Sequence, residues 1–561
     1  MNEKIDTHRN LIKNHLLKEI ERLKRELKKK KKYGLVWEEK PEEVVEMCKE
    51  KLPVLKEIKN KEIITDKNKP VNLLIEGDNY HALSVLNYTH AKKVDVIYID
   101  PPYNTGNKDF IFNDHYVDKE DAYRHSKWLA FMAKRLQLAK NLLKDTGVIF
   151  ISIDDNEMAQ LKLLMDNPDL FGENNFVSTL IWEKVRIRKN SALYFTSNYD
   201  FILCVARKKK QNEKDSGWTR ELIDREDTGN YKNPDNDPNG PWLATSITAN
   251  HFYDVDYKIT KPNGVVLSKP KNASWRYSWG TLQEFIKQNR IIWGKGNSYP
   301  KVKRYLKDVK EGLVPKSIFD FFTFGGNPDG ANELKELFGG NKVFENPKPT
   351  KLIKSLIKIG TKNKKSVILD FFAGTGTTAH SVLQLNKEDG GNRQFILCTD
   401  NQDNNGGGLK IAEDICYPRI KKVIDGYKNS KGEKVEGLGG NLKYFKTDFV
   451  NYDEPTDRNK IKLTEQATEM LCVKEGTFKS LIDNKRFKIF KNSNHYTGII
   501  WDQAAIPAFK KAIKNIKGKF SVYIFSLGDE TFDDEFKDVK QKVQLSPIPE
   551  AILRVHRRIF K

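Results

Sequence analysis

The chain has no stretch of about 18 consecutive apolar residues, the length a helix needs to cross a bilayer, so no membrane span is expected. Its opening, MNEKIDTHRNLIKNHLL, lacks the apolar core of a secretory leader. Cysteine is scarce. Cys48, Cys204, Cys398, Cys416 and Cys472 are scattered, odd in number and never paired as CxxC, which argues against a disulfide framework and against a cysteine zinc site. A reducing, cytoplasmic setting is the expectation. No metal site is expected, since Asp154 and Asp155 have no third ligand at suitable spacing. Ser152 and the scattered histidines, His125 among them, form no nucleophilic triad. There is no internal repeat and no low-complexity linker.

What is present is a globular composition, 38% hydrophobic and 31% charged. Its 561 residues are enough for roughly two to four domains. Lys and Arg total 98 against 76 Asp and Glu, a formal charge of +22. Such a field favours a polyanionic partner and salt-sensitive binding, although solvated surface lysines give the same figure. Motifs have to decide.

Residues 1–70 read as a charged helical region, with Leu16, Ile20, Leu23 and Leu27 on one stripe and a lysine run from Lys28 to Lys32. From Val71 the pattern alternates strand and helix: strands at 71–78, 94–100, 147–155 and 200–208, with a long amphipathic helix at 120–144 whose Trp128 reads as core. Residues 209–340 break that rhythm with Asn, Asp, Gly, Pro and aromatic residues, as an irregular insert would. The rhythm then resumes with a helix at 349–359, a strand at 366–372, a helix from 376 and a strand at 394–400. A charged α+β tail occupies 441–561, with a strand at 519–527. The expected fold is therefore α/β: a doubly wound, mostly parallel sheet over 71–208 and 341–440, an inserted domain at 209–340 and a C-terminal α+β domain.

Two loops carry chemistry. Asp100-Pro101-Pro102-Tyr103 follows the second strand, and in doubly wound sheets ligands bind beyond the carboxyl ends of strands. Asp100 offers acceptors for an exocyclic N–H, and the prolines leave a carbonyl such as that of Pro101 to accept a second one. Holding both hydrogens pushes a nitrogen lone pair out of conjugation. Tyr103 supplies a flat face on which an extruded base can stack. The structural alternative is a diproline turn with Asp100 as a local cap. The second loop is Asp370-Phe371-Phe372-Ala373-Gly374-Thr375-Gly376-Thr377-Thr378, where two glycines let the backbone approach a ligand and a helix start attracts a carboxylate. The dinucleotide spacing GxGxxG fails because residue 379 is Ala, although that fingerprint tolerates Ala there; a nicotinamide-dependent dehydrogenase is the weaker alternative.

Together the loops resemble the amino-methyltransferases of DNA in their β-type order, with DPPY first, a recognition insert next and FAGTG (372–376) last. The segments LLIEGDNYHALSVLNYTH, VIYIDPPYNTGNKDFIFND, FENPKPTKLI and LDFFAGTGTTAH look like the modification subunits of type III restriction–modification systems, over most of 33–561. That resemblance implies a Rossmann-like methyltransferase fold that moves a methyl group from S-adenosylmethionine to adenine N6 in double-stranded DNA. It implies that Asp100, Pro101, Pro102 and Tyr103 hold the adenine. The cofactor would be held by Asp78, Lys348, Asp370, Phe372, Gly374, Gly376, Thr377 and Thr378, with Lys348 in a segment closing over its carboxylate. Its ribose would meet Asp400 or Asp403, with Asp400 preferred. In the insert, Trp275, Arg276, Lys303 and Arg304 are the candidate DNA contacts. A homodimer and a helicase–nuclease partner are implied too; a solitary methyltransferase and a DNA-binding specificity subunit are the alternatives.

Overall fold

The computed structural model describes residues 37–560 apart from 108, 189, 225–226, 310–311, 403–407, 452–462, 465, 494, 527–529 and 531. The apolar stripe at 16–27, the lysine run and Asp403 lie outside the described residues. The chain forms two compact units, one of 221–315 and one of everything else.

The larger unit is organised by one sheet. Its elements in chain order are β1 (Lys51–Glu57), β2 (Val71–Glu76), α1 (Asn79–Thr89), β3 (Val94–Ile99), α2 (Arg124–Leu142), β4 (Leu143–Ile153), β5 (Phe176–Glu183) and β6 (Tyr199–Ala206). After the insert come β7 (Ile318–Phe319), α3 (Asn327–Leu337), α4 (Thr350–Gly360), β8 (Val367–Asp370), α5 (Thr377–Asp389), β9 (Gln394–Thr399), α6 (Tyr417–Asp425) and β10 (Asn441–Asn451). The strands pair in the order β1-β10-β2-β9-β8-β3-β4-β6-β5-β7. From β10 to β4 every neighbour is parallel, whereas β1 and β6 run antiparallel.

Parallel strands are covered on both faces and so read as largely apolar runs; all six residues of VDVIYI in β3 are buried, with Asp95 among them paired to Lys144 at 2.8 Å. Ile97, Ile99, Ile149, Ile151 and Ile153 join a core with Leu83 and Leu86 of α1 and Trp128, Met132 and Leu136 of α2. The alternate residues Val96, Val148 and Phe150 face α4, whose Gly360 lies so close that a Cβ would meet Val96 Cγ2 at 2.8 Å. The expected doubly wound α/β architecture is the one observed.

Domain boundaries differ from the expectation in physical detail. The sheet runs past both 70 and 441, because β1 and β10 pair along seven residues, from Lys51↔Asn451 to Glu57↔Phe445. The irregular segment at 209–340 is not one domain. Trp218 donates its indole N–H to the Gly360 carbonyl at 2.8 Å, and β7 pairs with β5, so both ends of that segment belong to the larger unit. C-terminal to β10, strands at Lys479–Asp483, Phe487–Lys491, His495–Ile500, Lys519–Phe525 and Val543–Ile548 form a five-stranded sheet, with helices Thr468–Glu475, Ile506–Ile513 and Glu550–Phe560. Among the described residues no helix is long and apolar enough to cross a membrane.

The 221–315 unit corrects two expected DNA contacts. Trp275 is fully buried, stacked on Tyr257 at 5.3 Å, and donates to the Tyr257 carbonyl at 2.8 Å. Around it Ile247, Ile259, Leu282 and Val302 form the core of the unit. Lys303 is buried too and bonds Asp235 at 2.5 Å and Asp237 at 2.7 Å, so its charge is spent internally. Lys303, with help from the Tyr305 hydroxyl, holds the Asp237 carboxyl well below the usual carboxylate range. Arg276 and Arg304 are exposed and remain free to reach a ligand.

Trp275→Ala is expected to destabilise the 221–315 unit by about 3–5 kcal/mol, as loss of a large core aromatic does. Hydrogen–deuterium exchange should show protection lost within 221–315 and retained in β3, β4 and β8.

Candidate active site

The parallel strands β2, β9, β8 and β3 are consecutive neighbours, and each ends on a carboxylate at one edge of the sheet: Asp78, Asp400, Asp370 and Asp100. The pairing of β8 with β3, Ile368↔Val96 and Leu369↔Ile97, sets the glycine loop beside the diproline loop. Had those loops left the sheet at different places, a shared site would have been impossible.

Beyond β3, the Tyr103 hydroxyl donates to Asp100 Oδ1 at 2.9 Å. The Pro102 carbonyl accepts the Trp128 indole N–H at 2.8 Å, whereas no donor among the described residues reaches the Pro101 carbonyl. The turn is fixed by Asn104, buried at a left-handed φ of 57°, which donates to Glu157 at 2.5 Å. His125 also bonds Glu157, at 2.6 Å. Burial pushes the Glu157 carboxyl up to about 8, and burial and the Arg124 charge lower His125. At neutral pH the pair is therefore a neutral imidazole beside a protonated carboxyl group.

Beyond β8, Asp370 is buried and accepts the Thr378 hydroxyl at 2.5 Å and the Phe372 N–H at 3.1 Å. Burial, with the Asp100 charge adding to it, pushes this carboxyl up to about 7. Gly376 caps α5 at a left-handed φ of 79° with no side-chain acceptor, so the first N–H groups of the 13-residue helix open on the site. A Cβ at Gly376 would stand 3.0 Å from Cys416 Sγ. Gly374, at φ 49°, faces open space apart from Phe344 Cζ at 3.8 Å. The threonines offer less than expected. The Thr378 hydroxyl is taken by Asp370, and Arg419, wholly buried, donates to the hydroxyls of Thr375 and Thr377 at 2.8 Å each. What α5 presents is backbone.

Asp78 caps α1 through Tyr80 N at 2.7 Å and accepts from Arg135 Nη2 at 3.3 Å. Arg135 is buried in an ion pair with Glu42 at 2.7 Å, stacks on Phe131 at 3.6 Å and bonds the Asn79 side chain, whose amide donates to the Phe371 carbonyl at 3.0 Å. Burial raises the Asp400 carboxyl, with Asp78 adding to it. Phe372 packs on Phe371 and Phe131 at 5.3 and 5.9 Å.

Lys348 needs correction. It was expected over a cofactor carboxylate at the glycine loop. Its ammonium instead donates to both oxygens of Asp100, at 2.8 and 2.7 Å, and lies 3.2 Å from the Tyr103 hydroxyl. Gly330 of α3 brings the NPKP segment there: a Cβ at 330 would fall 2.0 Å from the Pro347 carbonyl.

The sequence reading missed Arg135, Arg419 and Glu157. A signal existed for the two arginines, each set among apolar neighbours of an amphipathic helix: Arg135 among Trp128, Met132 and Leu136, Arg419 beside Ile420 and Val423. Glu157 follows a strand among polar residues, and nothing local marks it.

The donor set suits a ligand with an anionic end and several N–H or O–H groups, the first at the uncapped start of α5, the others toward Asp370, Asp400 and Asp78. A family model described as DNA methylase matches residues 94–404, more than half of the chain. The chain belongs to this family. The chain is 38% identical over 384 residues to the type III restriction-modification enzyme StyLTI Mod subunit of Salmonella typhimurium, covering 63% of this chain and 57% of that one. It is 34% identical over 406 residues to the EcoPI Mod subunit of Escherichia phage P1, covering 63% and 62%. It is 32% identical over 382 residues to the type II methyltransferase M.KpnI of Klebsiella pneumoniae, covering 64% and 89%. The chain thus spans about three fifths of the two Mod subunits and most of the type II enzyme.

Glu157 generates a pH prediction. Its folded carboxyl is raised, so the folded state holds the proton more tightly than the unfolded chain. The stabilisation is complete below the ordinary Glu value and is lost as pH rises through about 8. Glu157→Gln should therefore gain stability relative to the parent between about pH 5 and 9, by a few kcal/mol. Urea midpoints at the two pH values test it; parallel curves would reject the assignment.

Proposed function

We propose that this methylase transfers a methyl group from S-adenosylmethionine to the N6 amino group of an adenine swung out of duplex DNA. The observation that carries it is the β3–β8 pairing, which sets Asp100 and the glycine loop at adjoining strand ends. The cofactor, when bound, supplies an electrophilic methyl on a sulfonium. Its carboxylate fits the N–H groups in the first turn of α5, and its hydroxyl and amino donors fit Asp400, Asp78 and Asp370.

The work of the protein is to prepare the amino group. Asp100 accepts one N–H and the Pro101 carbonyl the other, which turns the nitrogen lone pair out of the ring's conjugation. Tyr103 offers its ring for stacking while its hydroxyl stays tied to Asp100. The nitrogen gains positive charge as the methyl arrives, and Asp100 stabilises that charge in a site shielded from water. The nitrogen then sheds its proton, and Asp100 is the acceptor at hand. Lys348 must leave at least one Asp100 oxygen for this to happen.

Two settings for the activity have support. The names of the Mod relatives favour a modification subunit within a type III restriction-modification enzyme. The near-full coverage of M.KpnI favours a methyltransferase of the type II kind, and this chain acting as a solitary enzyme is the alternative we keep.

Incubation with plasmid DNA and methyl-labelled S-adenosylmethionine, followed by digestion to nucleosides, should yield N6-methyladenine; 4-methylcytosine would reject the base assignment. Asp100→Asn should lower turnover by on the order of 10²-fold or more while DNA binding persists.

A further inference from the structure

β5 and β6 form a hairpin whose turn, 184–198, leaves the sheet at the same edge as the diproline loop. That placement follows from register: β6 runs antiparallel to β4, with Phe201 opposite Ile153, so the residues before β6 lie beyond the carboxyl end of β4. The neck is closed by Lys184 N–H and Val185 N–H on the Asn198 carbonyl at 2.9 and 3.3 Å, and by the Asn198 amide on the Val185 carbonyl at 2.8 Å.

The tip inverts the usual order of a surface. Leu193, Tyr194 and Phe195 are consecutive, large and apolar, and they are 84%, 85% and 96% exposed. Scattered exposed apolar residues are ordinary, but three in a row at a turn are not. The segment KVRIRKNSALYFTSN carries four cations and no carboxylate. Arg186 and Arg188 are exposed, and Arg186 lies over the exposed ring of Phe322 at 4.2 Å. An apolar point flanked by cations is complementary to duplex DNA, with phosphates outside and base faces within.

The hairpin also belongs to the wall of the active site. Lys184 pairs with buried Asp200 at 2.6 Å. Trp182, the residue two before the neck, has its buried ring 5.8 Å from the Lys348 ammonium that holds Asp100. The tip therefore springs from beside the place where the target base is received.

We propose that Phe195, flanked by Leu193 and Tyr194, is the wedge that enters the duplex and fills the gap left by the extruded adenine. The proposal rests on the base-flipping reading above and assigns the residue that makes flipping affordable. An extruded base abandons its stacking and pairing, and an aromatic ring inserted in its place restores part of the stack. Phe195 is a positioning residue with no part in the chemistry.

The test uses the full chain and a duplex oligonucleotide carrying the site mapped by methylation-sensitive sequencing of plasmid modified by the parent protein. Phe195→Ala should lower kcat/KM on the fully paired duplex by about 10- to 100-fold. On a duplex whose target adenine faces an abasic position, where little pairing has to be broken, activity should return to within about threefold of the parent. Phe195→Trp should retain activity on both. With 2-aminopurine at the target position, the fluorescence rise given by the parent should be lost in Phe195→Ala. The substitution lies in solvent, so thermal melting should be unchanged. Full activity of Phe195→Ala on the paired duplex, or an equal loss on both duplexes, overturns the wedge. A parent protein that methylates adenine in no DNA at all refutes the methyl-transfer reading itself.

Discussion

The parallel contact between β3 and β8 is the constraint on which the site depends. Residues 94–99 and 367–370 lie far apart in the chain, yet Ile368 and Leu369 align with Val96 and Ile97. Because parallel strands end at the same edge, that register alone brings a carboxylate with a diproline turn and a backbone with two left-handed glycines to one crevice. Neither loop could act alone. The first has acceptors but no seat for an anionic ligand, and the second has the seat but no acceptor for an amino group other than a carboxyl that is raised by burial and about half protonated near neutrality.

Holding two irregular loops in register requires polar groups below the surface, and this protein uses buried arginines. Arg135 joins Glu42, Asp78 and Asn79 under one end of the crevice, and Arg419 joins Thr375, Thr377 and, at 3.8 Å, Glu333 under the other. A buried cation is costly unless several acceptors surround it, and each arginine has them. The planar, many-donor guanidinium is suited to this, since it can tie a loop to two elements at once. The threonines of the glycine loop are thus structural through their hydroxyls and open to a ligand through their N–H groups.

Much of the fold was legible because parallel strands buried on both faces leave a strong signature. VDVIYID, GVIFISI and QFILCTD are apolar runs ending in polar turns, and their observed spans, 94–99, 143–153 and 394–399, differ from expectation by a few residues at most. β1 and β10 were harder to see. β1, the edge strand, carries Lys51, Pro53, Lys56 and Glu57, and β10 carries Lys443, Lys446 and Asp448; Lys443 is buried only because Glu57 and Glu62 pair with it, a partnership that the sequence does not display. Of the site, Asp100, Tyr103, Asp370 and the glycines could be placed from their positions after strands. Lys348 could not, since its destination depends on how α3 packs against the NPKP segment. Trp275 and Lys303 misled for a related reason: an aromatic and a cation look alike in sequence whether they face DNA or a small domain's own core.

The charges around Asp100 show why a lysine there is compatible with the proposed methyl transfer to an amino group. Asp100 shares its surroundings with Asp200 and Asp370, and both of those are raised by burial. Asp370 is about half protonated near neutral pH, and Lys184 offsets Asp200. Asp100 would then be the carboxylate without local compensation, were it not for Lys348 on both of its oxygens. An amino group entering this place brings N–H donors where the ammonium now donates, so the two compete for the same lone pairs. The contest tilts further toward the substrate as charge develops on its nitrogen, because a neutral amine is a weaker partner for a carboxylate than an ammonium is. Such a site binds its neutral reactant loosely and its charged transition state tightly, which is the difference that accelerates a reaction.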